Sequence, residues 1–280
     1  MKVPGIDGLD AAAVARLIRS AAEGIILPRF GRLLPSDVSD KGINDPVTVA
    51  DLECEAFLRA GMAKLAPDVP LLGEESIAAD PASKERILAG KPVFVADPID
   101  GTLNFAAGTP LFVVQLALFI DARPVAAWIF DPVADKMAIA VEGAGTTING
   151  KRITMTPKPS LDRTNMALSI YLPPYLRKER AEQVGRLAAK ATGFGAVASL
   201  RCIGQEFLAC LEGRLDAIAC LWSTAWDMGP GALMVREAGG ACLSDEFADW
   251  DAKRCPGSFV AAPSPEQARE IAAIVAECRR

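Results

Sequence analysis

Between Leu9 and Leu27, Val14, Leu17, Ile18, Ala21 and Ile25 recur at helical spacing, which predicts an amphipathic helix ended by Pro28. Lys41-Gly42-Ile43-Asn44-Asp45-Pro46 reads as a loop. Thr48 then stands as the cap of a second helix carrying Leu52, Phe57, Leu58, Met62 and Leu65, with Asp51 and Glu55 on one face. Short apolar runs follow at Val69–Leu72, Val93–Ala96, Phe112–Ile120, Val125–Phe130 and Met137–Val141, separated by turn-rich pieces. They predict two helices over an antiparallel-rich sheet. Beyond about Gly150 the pattern alternates. Helices are expected near Arg177–Ala191, Gly204–Glu212, Met228–Ala238 and Glu266–Arg279, and strands near Asp216–Leu221, Ala241–Ser244 and Ser258–Ala262. The expectation is an α/β protein of two lobes, α+β over residues 1–150 and α/β over 151–280.

A chain of 280 residues can bury its own core without disulfide staples. Its seven cysteines are odd in number, lack a C-x-x-C pair and read as reduced core thiols. The net charge of −5 provides no basic stripe, so no nucleic-acid partner is expected. The longest apolar stretch, Leu111–Ile120, is interrupted by Gln115 and too short to span a bilayer; no membrane association and a cytoplasmic location are expected. The count of zero histidines excludes Ser-His and Cys-His nucleophile systems and every His-liganded metal site. Catalysis would have to run on carboxylates, hydroxyls and hard metals.

The sharpest local feature runs from Val93 to Phe105, where a hydrophobic strand delivers Asp97 and Asp100 into the turn Gly101-Thr102 that opens a helix. Paired carboxylates suit a hard cation such as Mg²⁺, and the amides of Gly101 and Thr102 suit a phosphate. Read alone, the segment is equally a strand-turn-helix corner in which Asp-Gly makes the turn and Thr102 caps. Upstream, Glu74 and Glu75 end a short strand; neighbours on an extended chain point opposite ways, so at most one faces the site. Downstream, Asp227 stands where a helix N-cap would, and capping alone would explain it. Asp51 is likewise explained as a first-turn helix acid.

Taken in order, Gly73-Glu74-Glu75-Ser76, Asp97-Pro98-Ile99-Asp100-Gly101-Thr102-Leu103-Asn104-Phe105 and Trp226-Asp227 leading into Arg236-Glu237-Ala238-Gly239-Gly240 resemble the inositol monophosphatase family of lithium-sensitive, magnesium-dependent phosphatases. The resemblance covers nearly the whole chain. It implies a layered αβαβα sandwich of the sugar-phosphatase type and a homodimer. It further implies that Glu74, Asp97 and the Ile99 carbonyl ligate one Mg²⁺, and that Asp97, Asp100 and Asp227 ligate a second. Thr102, oriented by Asp51, would hold the attacking water, while Glu74 would help to hold a third, weaker ion; Glu75 would lie just outside. Gly101 and Thr102 would bind the substrate phosphate.

The sequence departs from that pattern around the leaving group. Cys220 stands where the inositol-binding members carry an acid, and Ser199 to Phe207 places Arg201 near the expected pocket. Arg201, Glu206, Cys220 and Trp222 are therefore the expected leaving-group residues. The implied substrate is a small phosphate monoester, with inositol 1-phosphate first, and histidinol phosphate or a nucleotide phosphate as alternatives. An aspartyl-phosphate enzyme would want D-x-D-x-T, whereas the spacing here is Asp97-x-x-Asp100-x-Thr102. An EF-hand is excluded by Ile99 and Gly108 at its third and twelfth positions. A regulatory or scaffolding protein with a vestigial site is the non-enzyme alternative, opposed by the intact acids.

Overall fold

The computed structural model describes residues 1–42, 45–169, 174–244 and 246–279. Asp10 caps α1 (Ala11–Ala21) by accepting from Ala12 N, and the helix widens into a π-type turn over Ala22–Ile26 before Pro28. The single helix expected over Leu9–Leu27 is thus two conformations in series. The expected loop at Lys41–Pro46 is largely an antiparallel ribbon of β1 (Val38–Gly42) and β2 (Asp45–Thr48), with residues 43 and 44 outside the described residues. β1 buries none of its side chains fully, which is why no apolar alternation marks it.

Next come α2 (Val49–Leu65), β3 (Leu71–Gly73), α3 (Glu74–Ala79), α4 (Glu85–Leu88), β4 (Val93–Asp100), α5 (Thr102–Ala106), β5 (Val113–Ile120), β6 (Arg123–Asp131), β7 (Lys136–Val141), β8 (Gly145–Ile148) and β9 (Lys151–Ile153). The remaining elements are β10 (Asn165–Ser169), α6 (Pro174–Lys190), β11 (Ala196–Ala198), α7 (Ile203–Leu211), β12 (Ala217–Cys220), α8 (Ala225–Glu237), β13 (Ala241–Leu243), β14 (Phe259–Ala262) and α9 (Pro265–Arg279). β3 to β9 form a seven-stranded sheet in sequence order, antiparallel except for β3 beside β4. The second sheet has the order β11-β10-β12-β14-β13.

Period-two alternation assigns the faces of these sheets. On β4 and β5, Phe94, Ala96, Leu116 and Leu118 meet Val14 and Ile18 of α1 and Cys54, Leu58 and Met62 of α2. Val95, Ala117 and Phe119 point the other way, onto Phe207 of α7 and Ala232 and Val235 of α8, beyond which lie Ile218 and Phe259 of the second sheet. That sheet's far face, with Ala217, Ala219, Val260 and Ala262, is covered by Leu187 of α6 and Ile271 and Val275 of α9. The layers are therefore αβαβα. Both faces of β4 to β6 are covered, so these strands read as continuous apolar runs. Phe119 is fully buried in the central layer. Phe119→Ala should cost about 3–5 kcal/mol, measured as a shift in denaturation midpoint; a change below about 1 kcal/mol would contradict this packing.

All seven cysteines are free thiols, six of them buried. Among the described residues no helix is long and apolar enough to cross a membrane.

Candidate active site

Aspartates three apart on a regular strand would face opposite sides of a sheet. In β4, Asp97 pairs with Gln115 of β5 but Asp100 pairs with Val113, so three steps on one strand match two on the other. This bulge turns both carboxylates to the α7–α8 face. At Gly101 the chain then reverses with φ +91°, and a Cβ there would lie 2.7 Å from the Leu111 carbonyl. Only glycine lets the strand pass directly into α5 at this corner.

The third acid comes from α8. Thr224, rather than Asp227, is the helix cap: its hydroxyl oxygen accepts from Asp227 N at 3.3 Å and its hydroxyl donates to Asp227 Oδ2 at 2.7 Å. The helix starts earlier than the apolar pattern suggests, which moves Asp227 into the first turn with its carboxylate aimed at β4. Asp97, Asp100 and Asp227 offer carboxylate oxygens all within 4.8 Å of one another.

These acids repel one another in a desolvated place. Burial first, then Glu74, Asp100 and Asp227, push Asp97 well above the usual carboxylate range. Burial raises Asp227 to about 8, helped by Asp100 and Glu74 and opposed by the Thr224 hydroxyl. Asp100 rises only to about 6, because its burial is offset by donors. Gly204 N at 2.5 Å, Ile203 N at 3.3 Å and Gln115 Nε2 at 3.1 Å all donate to it, as does the Cys202 thiol at 3.2 Å. A trio of oxygen ligands without histidine or thiolate, held together against its own repulsion, fits a hard divalent cation.

Beside the trio, Thr102 Oγ1 donates to the Ile99 carbonyl at 2.9 Å and lies 3.4 Å from Asp51 Oδ1. Asp51 is anchored through Oδ2 by the amide and hydroxyl of Thr48 at 2.8 and 2.5 Å. Burial raises its carboxyl to about 7. Glu74 and Glu75 do not end a strand as expected but open α3, and Lys41 Nζ donates to both, at 2.6 and 2.8 Å. The helical turn lets the two neighbours share one cation. The Ile99 carbonyl, an expected ligand, faces the same corner as Thr102.

The four expected leaving-group residues sit in different surroundings. Arg201 is exposed with φ +55°, and its carbonyl and that of Leu200 accept from Asn104 Nδ2. Glu206 is buried; Oε1 accepts from Leu200 N, Oε2 has no partner, and burial pushes the carboxyl up to about 7. Cys220 lies near Glu206 on the inner face of β12, its thiol raised by burial. Trp222 packs with the outer layer instead. Lys41, Thr48, Gln115 and Thr224 were not singled out as site residues from the sequence. Thr48 and Thr224 carry a readable signal, a Thr three residues before an Asp at a helix start.

The sequence profile of the inositol monophosphatase family matches residues 9–279. Among relatives, inositol monophosphatase 2 of Solanum lycopersicum is 30% identical over 246 residues, covering 84% of this chain and 88% of that one. The Nus factor SuhB of Haemophilus influenzae is 28% identical over 250 residues, covering 88% and 90%. In structure, the Thermotoga maritima IMPase superposes with a TM-score of 0.79 at 23% identity, covering 94% and 95% of the two chains, which shows a shared fold. With its acidic motifs in order along a profile match of nearly full length, the chain belongs to the inositol monophosphatase family.

Proposed function

We propose that this protein is a Mg²⁺-dependent phosphatase that hydrolyses a small phosphate monoester by direct attack of water. The observation that carries this is the convergence of Asp97, Asp100 and Asp227 at the bulged end of β4 and the start of α8. Asp97, Asp100 and Asp227 would hold one Mg²⁺; Asp97, Glu74 and the Ile99 carbonyl would hold another, with a third, weaker ion near Glu74. Bound cations of this kind acidify water and neutralise phosphoryl oxygens.

The protein's own groups do the rest. Thr102 and Asp51 orient the attacking water, with the Thr102 hydroxyl 3.4 Å from Asp51 Oδ1. The amides of Gly101 and Thr102 bind the phosphate, and Asp100 is held for its role by Gln115 and the first amides of α7. Inositol 1-phosphate is the leading substrate, supported by the tomato relative's name. Other polyol, sugar, histidinol or nucleotide phosphates fit the same centre. Leaving-group choice is assigned to Arg201, Glu206, Cys220 and Trp222, with Glu75 outside the ligand set. We assign residues 1–150 and 151–280 to two lobes, and the functional unit to a homodimer.

A second reading, a regulatory protein, is favoured by one observation, the likeness to a Nus factor. Phosphate release from a panel of these monoesters, with Mg²⁺, with Ca²⁺ in its place and with added Li⁺, separates the two. Turnover that needs Mg²⁺ and falls with Li⁺ supports the phosphatase, and the best ester names its substrate. A folded protein inert across the panel favours the regulatory role.

A further inference from the structure

We propose that Glu55, an acid on α2, is a positioning residue that fixes the Glu74–Glu75 turn for cation binding. This rests on the metal-dependent reading above. Glu55 lies one helical turn beyond Asp51 and is 4% exposed. Its Oε2 accepts from the amides of Glu75 at 2.9 Å and Ser76 at 3.4 Å, and its Oε1 accepts from Arg59 Nη2.

The two amides belong to the first turn of α3, whose own N-cap position is Gly73 and provides no side-chain acceptor. Unsatisfied first-turn amides are normally capped from within the same segment. Here the acceptor arrives from another helix. A Cβ on Gly73 would fall inside the Glu55 carboxylate, so glycine at that position is what admits it.

Capping alone does not account for an acceptor drawn from another helix. A buried carboxylate beside Glu74, Glu75 and Asp51 adds repulsion to a crowded acidic corner, and a serine or asparagine at position 73 would cap α3 without it. What the long-range bond adds is registry. Asp51 and Glu55 share α2, so Glu55 ties the α3 acids to the helix that carries Asp51, and the two sides of the site keep one spacing. Arg59, on the next turn of α2, offsets the charge.

The test is a Mn²⁺ titration of metal-stripped protein by calorimetry, with circular dichroism and thermal melting of each variant. Glu55→Ala should weaken the cation affinity by about 10- to 100-fold, and turnover should recover as cation is raised. Glu55→Gln keeps an acceptor for the two amides and should stay within about 3-fold of wild type. Gly73→Ala leaves Glu55 present but displaces it, and should reproduce the Glu55→Ala weakening. Glu53→Ala, an exposed acid on the same helix paired with Arg29, should change nothing. Folded Glu55→Ala or Gly73→Ala protein with wild-type Mn²⁺ affinity overturns the proposal while leaving the metal centre intact. A wild type that binds no Mn²⁺ overturns both. Should Glu55→Ala not fold, the contrast of Glu55→Gln with Gly73→Ala decides alone.

Discussion

Asp97→Asn is expected to fold, to melt higher than wild type in the absence of divalent cations, and to lose activity by at least about 100-fold. The two effects have one cause. Asp97 is 3% exposed and faces Asp100, Asp227 and Glu74, so ionising it in the metal-free protein places a fourth like charge in a desolvated corner. Asparagine keeps the Oδ1 that accepts from Ile99 N at 3.0 Å, so the turn survives. Relief of the repulsion should stabilise the metal-free fold by about 1–3 kcal/mol, a rise of several degrees in melting temperature for a chain of this size. The amide cannot serve as the shared anionic ligand, so the same substitution removes turnover. An active, folded variant would remove Asp97 from the metal centre. An inactive variant that melts lower would mean that the corner is not strained by charge.

The metal-free protein should also lose stability as pH rises, the reverse of ordinary acid denaturation. Asp51, Asp100 and Asp227 move from 3.8 up to about 7, 6 and 8. Between those limits the folded state retains protons that the unfolded chain has released, so stability falls with increasing pH. The fall begins near pH 4, is steepest near pH 5 to 6, where the unfolded chain has released protons that the folded state still holds, slackens from 6 to 8 and levels above. Its size is on the order of a few kcal/mol, a drop of about 10 °C in melting temperature between pH 5 and pH 8.5. Cations held by Asp97, Asp100 and Asp227 favour the ionised forms of these carboxylates, so added Mg²⁺ should close most of the gap at pH 8.5 and little of it at pH 5. A flat melting profile, or equal Mg²⁺ stabilisation at both pH values, would contradict the assignment.

How much of this was legible depends on where each residue's partners lie. β4 to β6 were plain because both faces are covered, and every position in β4 is buried. The motif Asp97-x-x-Asp100 was visible, but its shared face was not, since the bulge is set by pairing to Gln115 and Val113 on another strand. Asp227 was recognised as an acid at a helix start and misplaced as its cap, because apolar periodicity marks the buried stripe and not the first turn of α8. β8 and β9 were missed because Thr146, Thr147, Lys151 and Arg152 give no apolar signal, β10 because Asn165 and Ser169 bound an apolar run of only three residues, and β11 because its three residues are all exposed. Lys41 and Glu55 were invisible as site groups for a different reason. Their partners Glu74 and Glu75 lie 20 to 34 positions away, and only the packing of α2 against α3 and the β1–β2 ribbon brings them together.

The central claim is tested most directly by inorganic phosphate release from inositol 1-phosphate and the related monoesters, using metal-stripped wild type before and after addition of Mg²⁺, beside Asp97→Asn. The account predicts release by wild type only after Mg²⁺ is added, and none by the variant under either condition. Release without divalent cation, or equal release by Asp97→Asn, would contradict it.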